Sequence, residues 1–417
     1  MASGPRQLLE RLFRHSVGAV QPPGCLAGHW PSPPVRRLVL LAVGKCGEAM
    51  AGAAYEHYGG RIEGLVVAPD RYLAGIALPR CLRVMKSRHP IPDNRSVAAA
   101  EAALDLARSL GPDDLLLVLL SGGGSAAMCK PAPGVTLAAK QSLQERLLES
   151  GASIAEINCV RKQLSAIKGG RLAAACRAPV VTLAISDVSG DVPALIASGP
   201  TVADRSTPRQ ALQVLDRYDI EPPEAVRSLL SDPDAEAPVH ADRAADRYTV
   251  VAGGDAMLRA AERELRRLGY HVTNLGATVE GAAADVAQAH AQAARQLAHD
   301  GGRHCILSGG ECTVTIRGSA GTGGRNTEYL LALAVALDGL PGTWAIAADS
   351  DGIDGNGDHA GAILGPDSLA RARRLGLNAS TCLQAHDSGS FFAATGDLLV
   401  TGPTRTNVSD FRALLLE

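Results

Sequence analysis

Aromatic side chains are scarce in this 417-residue chain, which has four phenylalanines and two tryptophans. Single-stranded nucleic acid is held largely by stacking on such rings, so platforms for base stacking are scarce. The formal net charge is −2, whereas nonspecific binding to a phosphate backbone needs concentrated positive charge. Lysine occurs only six times, at 45, 86, 130, 140, 162 and 168. No apolar run approaches the roughly 20 residues that span a membrane. The nine cysteines include no Cys-x-x-Cys pair, so buried or inert thiols in a reducing, cytoplasmic setting are expected. Residues 1–21 lack a continuous apolar h-region and do not read as a secretory signal. Leu8, Leu9, Leu12, Phe13 and Val17 instead fit one face of a surface helix.

What is abundant is glycine, with 45 residues beside 24 prolines, 46% apolar and 20% charged residues. That composition and length predict a soluble, loop-rich α/β protein of two domains. The run 37–43 reads as a buried strand ending at Gly44-Lys45, followed by a helix over Ala49–Tyr58. Asp114–Leu120 and Val180–Ile185 repeat the pattern, with helices over 98–109, 138–149 and 154–164. Repeated strand–loop–helix units predict a Rossmann-like, mostly parallel sheet covered by helices. Ligands in such sheets sit beyond the carboxyl ends of strands, where Lys45, Ser121 and Asp187 fall. The first domain is expected over 1–240, with 201–247 as a proline-rich connecting region. A smaller α/β domain is expected over 248–417, opening with a strand at Tyr248–Ala252, and its last segment is a candidate to return to the first domain. Glycine loops from both domains would line a cleft between them.

Several glycine-bordered segments carry the chemistry. Gly323 and Gly324 allow close backbone approach to a ligand, and Arg325 can grip a phosphate or carboxylate with both arms of its fork. A helical pattern starting near Tyr329 would add N–H groups and a dipole that favour an anion. Ser308-Gly309-Gly310-Glu311 and the strand 312–317 precede it. Gly44-Lys45-Cys46-Gly47 offers a mobile ammonium to phosphate and is not a Walker motif; a merely solvated lysine is the plain alternative. Ser121-Gly122-Gly123-Gly124-Ser125 reads as a phosphate nest or else as a tight hinge. Arg161 and Lys168 close a helix, either as dipole partners or as contacts for an anionic substrate. Asp187, at a strand exit, is suited to Mg²⁺ or to accepting a hydroxyl proton, and Asp191 to capping a turn or sharing the metal. Asp351 and Asp354 lie in an acidic loop that breaks the EF-hand spacing; they read as solvent turn-formers, as holders of hydroxyls or Mg²⁺, or as braces for Arg325. Thr404, Thr406 and Asn407 are candidates to line the cleft.

Taken in order along the chain, these segments resemble the bacterial-type glycerate 2-kinases with a C-terminal MOFRL domain. Further marks of the resemblance are His89-Pro-Ile-Pro-Asp93 with Ser96, Arg161-Lys-Gln-Leu-Ser-Ala-Ile-Lys-Gly-Gly170, Ser186-Asp-Val-Ser-Gly-Asp191, Ser198-Gly-Pro-Thr201 and Thr401-Gly-Pro-Thr404. The resemblance runs from about residue 5 to 417. It implies ATP- and Mg²⁺-dependent phosphorylation of D-glycerate to 2-phosphoglycerate, with Lys45 and Arg325 matching the family's lysine and arginine. Asn326 and the three glycine loops are the candidates to hold the nucleotide, and Lys45, Arg161, Lys168, Arg325, Asp351 and Asn407 those to hold the substrate. Asp187, Asp191 and Asp351 become the candidates for Mg²⁺. Small-molecule partners are expected, with no nucleic acid or membrane, and a homodimer is compatible with the sequence. Ser350, Thr327, Cys46 and Gly47 depart from the family's usual residues without removing a charge. Members have also been labelled hydroxypyruvate reductases. Gly44-Lys-Cys-Gly47 lacks Gly-x-Gly-x-x-Gly, which argues against a nicotinamide site.

Overall fold

The computed structural model describes residues 4–73, 75–232, 246–316 and 321–417. Contacts divide the chain into two units. One comprises Leu26–Ser186 and Asp191–Val251, and the other comprises the segment through Cys25, Asp187–Gly190 and Ala252–Glu417.

In the first unit β1 (Leu38–Val43), β2 (Glu63–Pro69), β3 (Leu82–Ser87), β4 (Leu115–Leu120), β5 (Val180–Ile185) and β6 (Arg247–Ala252) form one sheet in the order β3-β2-β1-β4-β5-β6. Strands β1 to β5 pair in parallel, with Leu38 opposite Leu115 and Leu116 opposite Val180. Every residue of β1, β4 and β5 is buried, which is why these strands read as continuous apolar runs rather than alternating ones. The α/β class read from the sequence is the class that forms.

β6 corrects one boundary. Expected to open the second domain, it lies beside β5 at the edge of the first sheet. Its apolar pattern identifies a strand but carries no information about its partner, because pairing is non-local. Of the connecting region, residues 233–245 lie outside the described residues, Pro233, Asp234, Pro238 and Asp242 among them.

The second unit holds β7 (His271–Asn274), the short β8 (Gly281–Ala282), β9 (His304–Gly310), the short β10 (Cys312–Thr313), β11 (Thr343–Asp349), β12 (Gly361–Leu364), β13 (Leu398–Leu399) and β14 (Asp410–Leu416). Its main sheet runs β13-β12-β11-β14-β9-β7 and is antiparallel except for β7 on β9. β14 is buried along its whole length between β11 and β9, so the last segment does not return to the first sheet. The strand expected over 312–317 is formed only at Cys312–Thr313, paired with Gly281–Ala282, and Arg317 lies outside the described residues.

A second boundary also moves. The helix Pro5–Gly18 buries Leu8, Leu9, Leu12, Phe13 and Val17, the apolar face read from the sequence. That face covers the second unit: Phe13 meets Phe411 edge-on at 5.8 Å between ring centroids. Arg6 Nη1 reaches Asp397 Oδ1 at 2.6 Å. Chain order placed this helix in the first domain, but an apolar stripe goes where it can be covered.

Candidate active site

The first unit builds a tight junction where β1 and β4 end. Gly44 has φ +115°, and a Cβ there would lie 2.5 Å from both the carbonyl oxygen and Oγ of Ser121. Only glycine satisfies both constraints. The Lys45 N–H donates to Gly122 O at 2.9 Å, and the Cys46 N–H to Ser121 Oγ at 3.0 Å. Ser121 Oγ in turn donates to Val43 O at 3.2 Å. The lysine turn and the Ser121–Ser125 loop are therefore one construction. The Lys45 side chain extends beside Gly123, where a Cβ would come within 3.3 Å of Lys45 Cγ and 3.0 Å of His89 Cδ2. Its ammonium lies 5.0 Å from the centre of the Tyr72 ring, a cation–π contact that helps to orient it.

Behind the loop lies a group of buried cations. Lys168 donates to Ser125 O at 2.5 Å and to Ser125 Oγ at 2.8 Å. Burial, helped by Lys140 and Arg161 and opposed by Cys129, pulls its pKa down to about 7. Lys140 donates to the carbonyls of Leu164 at 2.7 Å and Arg161 at 3.2 Å, and burial brings it to about 8. Burial likewise lowers Arg161, whose Nε is buried without a partner. Lys162 differs, being paired with Asp204 at 3.3 Å. An unneutralised cluster of this kind favours an anion. Lys168, expected to reach substrate directly, is spent on Ser125; Arg161 retains a donor.

In the second unit Arg325 is gripped by three carboxylates. Its Nε donates to both oxygens of Asp410 at 2.9 and 3.0 Å, Nη2 to Asp349 Oδ2 at 2.8 Å and Nη1 to Glu311 Oε1 at 2.6 Å. Burial works against its charge, but Asp410, Asp349 and Glu311 outweigh it and hold the guanidinium well above its ordinary pKa. The fork expected to hold a phosphate is thus engaged by the chain's own acids. Asp410 also accepts from Asn326 Nδ2 at 2.8 Å and from Arg412 Nη2 at 2.7 Å.

The helix expected from Tyr329 begins four residues earlier, at Arg325, and its amino end already carries an anion. Asp354 accepts from the N–H groups of Asn326 at 3.0 Å and Thr327 at 2.9 Å, and from Thr327 Oγ1 at 2.9 Å. Gly324 is required for this approach, since a Cβ there would lie 2.4 Å from Asp354 Oδ1. A Cβ on Gly323 would meet Ser388 Oγ at 2.6 Å. The close backbone approach read from the paired glycines is made by the protein itself. Asp354 therefore caps a helix and does not stand in solvent. Asp354→Ala is expected to lower unfolding free energy by about 1–2 kcal/mol, the usual cost of a lost cap, measurable by urea denaturation.

The remaining candidates are also held in place. Gly309 and Gly310 give their carbonyls to Arg412 Nη1 at 3.1 Å and Nη2 at 3.3 Å. Asp351 is buried and accepts from the Ile353 N–H at 2.9 Å, forming the turn after β11. Asn407 Nδ2 donates to Asp187 Oδ2 at 2.7 Å, and Ser409 Oγ to Asp187 O at 2.7 Å. The first contact orients the Asp187 carboxylate, and the second holds its main chain. Thr406 Oγ1 bonds Val20 O at 2.8 Å, and Thr404 Oγ1 bonds Ser350 O. Among the described residues no group of three or more His, Cys, Asp or Glu side chains is placed to hold a metal.

Residues 8–231 match the family model described as a domain of unknown function (DUF4147), and residues 304–410 match the MOFRL family. The D-glycerate 2-kinase of Thermotoga maritima is 34% identical, over 97% of this chain and 97% of its own. This chain belongs to the MOFRL-domain glycerate kinase family. The crystal structure of a glycerate kinase from Thermotoga maritima superposes with a TM-score of 0.87 at 34% identity, covering 99% of each chain. A protein of Agrobacterium vitis with the provisional name hydroxypyruvate reductase is 44% identical, over 99% of this chain and 94% of its own. Both names thus occur among relatives of this glycerate kinase family member.

Sequence reasoning did not assign Tyr72, Asn158 (whose Oδ1 accepts from Ser198 Oγ at 3.0 Å), Asp410 or Arg412 to the site. For the last two a signal existed: Asp410 and Arg412 are two apart in an otherwise apolar strand, so both charges project to the same face. Nothing local marks Tyr72 or Asn158.

Proposed function

We propose that this protein transfers the γ-phosphoryl group of ATP to D-glycerate, with Mg²⁺, releasing ADP and 2-phosphoglycerate in a reducing cytoplasm. The observation that carries the reading is 34% identity along 97% of the chain to a D-glycerate 2-kinase. The construction around Lys45 supports it. Phosphoryl transfer needs little covalent chemistry and much positioning and charge. Lys45 supplies a mobile ammonium beside a glycine loop whose backbone suits phosphate. Arg161 suits the substrate carboxylate, because its unpartnered Nε and its burial both favour acquiring an anion.

Mg²⁺ takes hard oxygen ligands, usually one or two carboxylates with waters and substrate phosphates. Asp187 fits that requirement, its carboxylate aimed by Asn407; Asp191 and Asp351 are the further candidates. When bound, the metal would neutralise charge on the phosphate oxygens. Arg325 contributes by holding Asp349, Asp410 and Glu311 in register.

A coupled ADP-release assay with D-glycerate and Mg²⁺ tests the reading. D-glycerate is expected to stimulate release well above the ATP-only background, and no stimulation would end the proposal. Phosphorus NMR of the product should show coupling to one proton, as in 2-phosphoglycerate. Two-proton splitting would move the transfer to the 3-hydroxyl while keeping the kinase. Hydroxypyruvate with NADH or NADPH is expected to give no sustained absorbance loss.

A further inference from the structure

Lys168, Ser125, Ser198 and Asn158 form one hydrogen-bonded chain inside the first unit. Lys168 is 1% exposed, and its two acceptors, 2.5 and 2.8 Å away, both belong to Ser125. Ser125 Oγ lies 2.9 Å from Ser198 Oγ, and Ser198 Oγ donates to Asn158 Oδ1 at 3.0 Å. A hydroxyl has one proton, and that of Ser198 is committed to Asn158. The Ser125 proton is therefore left to Ser198 or, when Lys168 is neutral, to Lys168 Nζ.

No carboxylate contacts Lys168 among the described residues. The titratable and charged groups facing it are Cys129, Lys140 and Arg161, and Arg171 Nη1 donates to its carbonyl oxygen at 3.1 Å. Three of those four are cations. A lysine kept only for stability is normally paired when buried. This one sits among like charges against a single serine, in the loop next to Lys45.

We propose that Ser125 and Lys168 are the proton-accepting pair for the acceptor hydroxyl, Ser125 touching it and Lys168 taking the proton through Ser125. The inference rests on the kinase reading above. The substrate O–H bond breaks as its oxygen forms the new O–P bond, and the bond from the γ-phosphorus to ADP breaks with its electron pair leaving on ADP. The substrate proton passes to Ser125 Oγ while the Ser125 proton passes to the neutral Lys168 amine, which becomes the ammonium. Ser125 ends as it began, and Lys168 later returns its proton to water. A lysine near neutrality is suited to this exchange.

The test is the pH dependence of kcat in wild type, Lys168→Met, Lys168→Arg and Ser125→Ala, using ADP release with D-glycerate. Wild-type kcat is expected to rise through an apparent pKa near 7 and level off above it. Lys168→Met and Lys168→Arg should each lose about 10²-fold or more in kcat at pH 8, with KM for ATP within about threefold and the inflection gone. Arginine is the decisive variant, since it preserves the charge but cannot give up its proton. Ser125→Ala, a small change with little risk to folding, should show the same loss. The proposal is overturned if Lys168→Arg or Ser125→Ala keeps both wild-type kcat and the inflection, or if the losses lie in KM alone. A wild-type protein that does not respond to D-glycerate would instead remove the kinase reading.

Discussion

Lys45→Ala is expected to lower kcat for ADP release with D-glycerate by about 10²–10³ while leaving the unfolding midpoint close to wild type. The side chain can be removed without disturbing the turn that carries it. The conformation there depends on Gly44 and on main-chain bonds, Lys45 N–H to Gly122 O and Gly44 N–H to Val67 O at 3.0 Å. The ammonium instead rests over Tyr72, 5.0 Å from the ring centre. A phosphate oxygen suits this compact donor, which turns on a flexible stem. A point charge that gains most as charge spreads over the transferring phosphoryl should act on kcat more than on KM. Lys45→Arg is expected to recover only part of the loss, because a planar fork replaces a compact, rotatable donor. Native turnover in purified Lys45→Ala would remove Lys45 from the chemistry.

How far this site could be read in the sequence depends on how local each feature is. The strand exit at Gly44-Lys45 and the Ser121–Ser125 loop were legible, because a buried apolar run followed by glycines specifies both the strand and its end. What those glycines approach was not. Gly324 makes room for Asp354, thirty positions later in the chain, and Gly44 makes room for Ser121. A glycine states that something comes close, and the distant partner decides whether that is ligand or protein. The same limit explains Arg325. Its suitability for an anion is legible from the residue type, but Asp349, Asp410 and Glu311 arrive from separate strand ends of the second sheet. The N-terminal helix and β6 show the limit at domain scale: their apolar faces were legible, and the surfaces they cover depend on the whole fold.

Arg325→Met is expected to lower the free energy of unfolding by about 3 kcal/mol, the low end for removing one member of a buried ion pair. The low end applies because the arginine side chain keeps 24% of its surface exposed, while Asp410 and Asp349 retain 0% and 4%. Removing the cation leaves those two carboxylates near one another without the charge that joins them. Glu311 is 54% exposed, so water can replace its share, and Glu311→Gln alone should cost no more than about 1 kcal/mol. The three acids should therefore couple unequally to residue 325. In double-mutant cycles read by urea denaturation, Asp349→Asn should recover at least about 1 kcal/mol in the Arg325→Met background, and Glu311→Gln about 0.5 kcal/mol or less. Arg325→Lys should fall between wild type and Arg325→Met, since one ammonium cannot donate along three directions of a planar fork. Equal coupling to Glu311 and Asp349, or a loss under about 0.5 kcal/mol in Arg325→Met, would mean that the fork is a solvated surface cluster rather than the pin that joins these carboxylates.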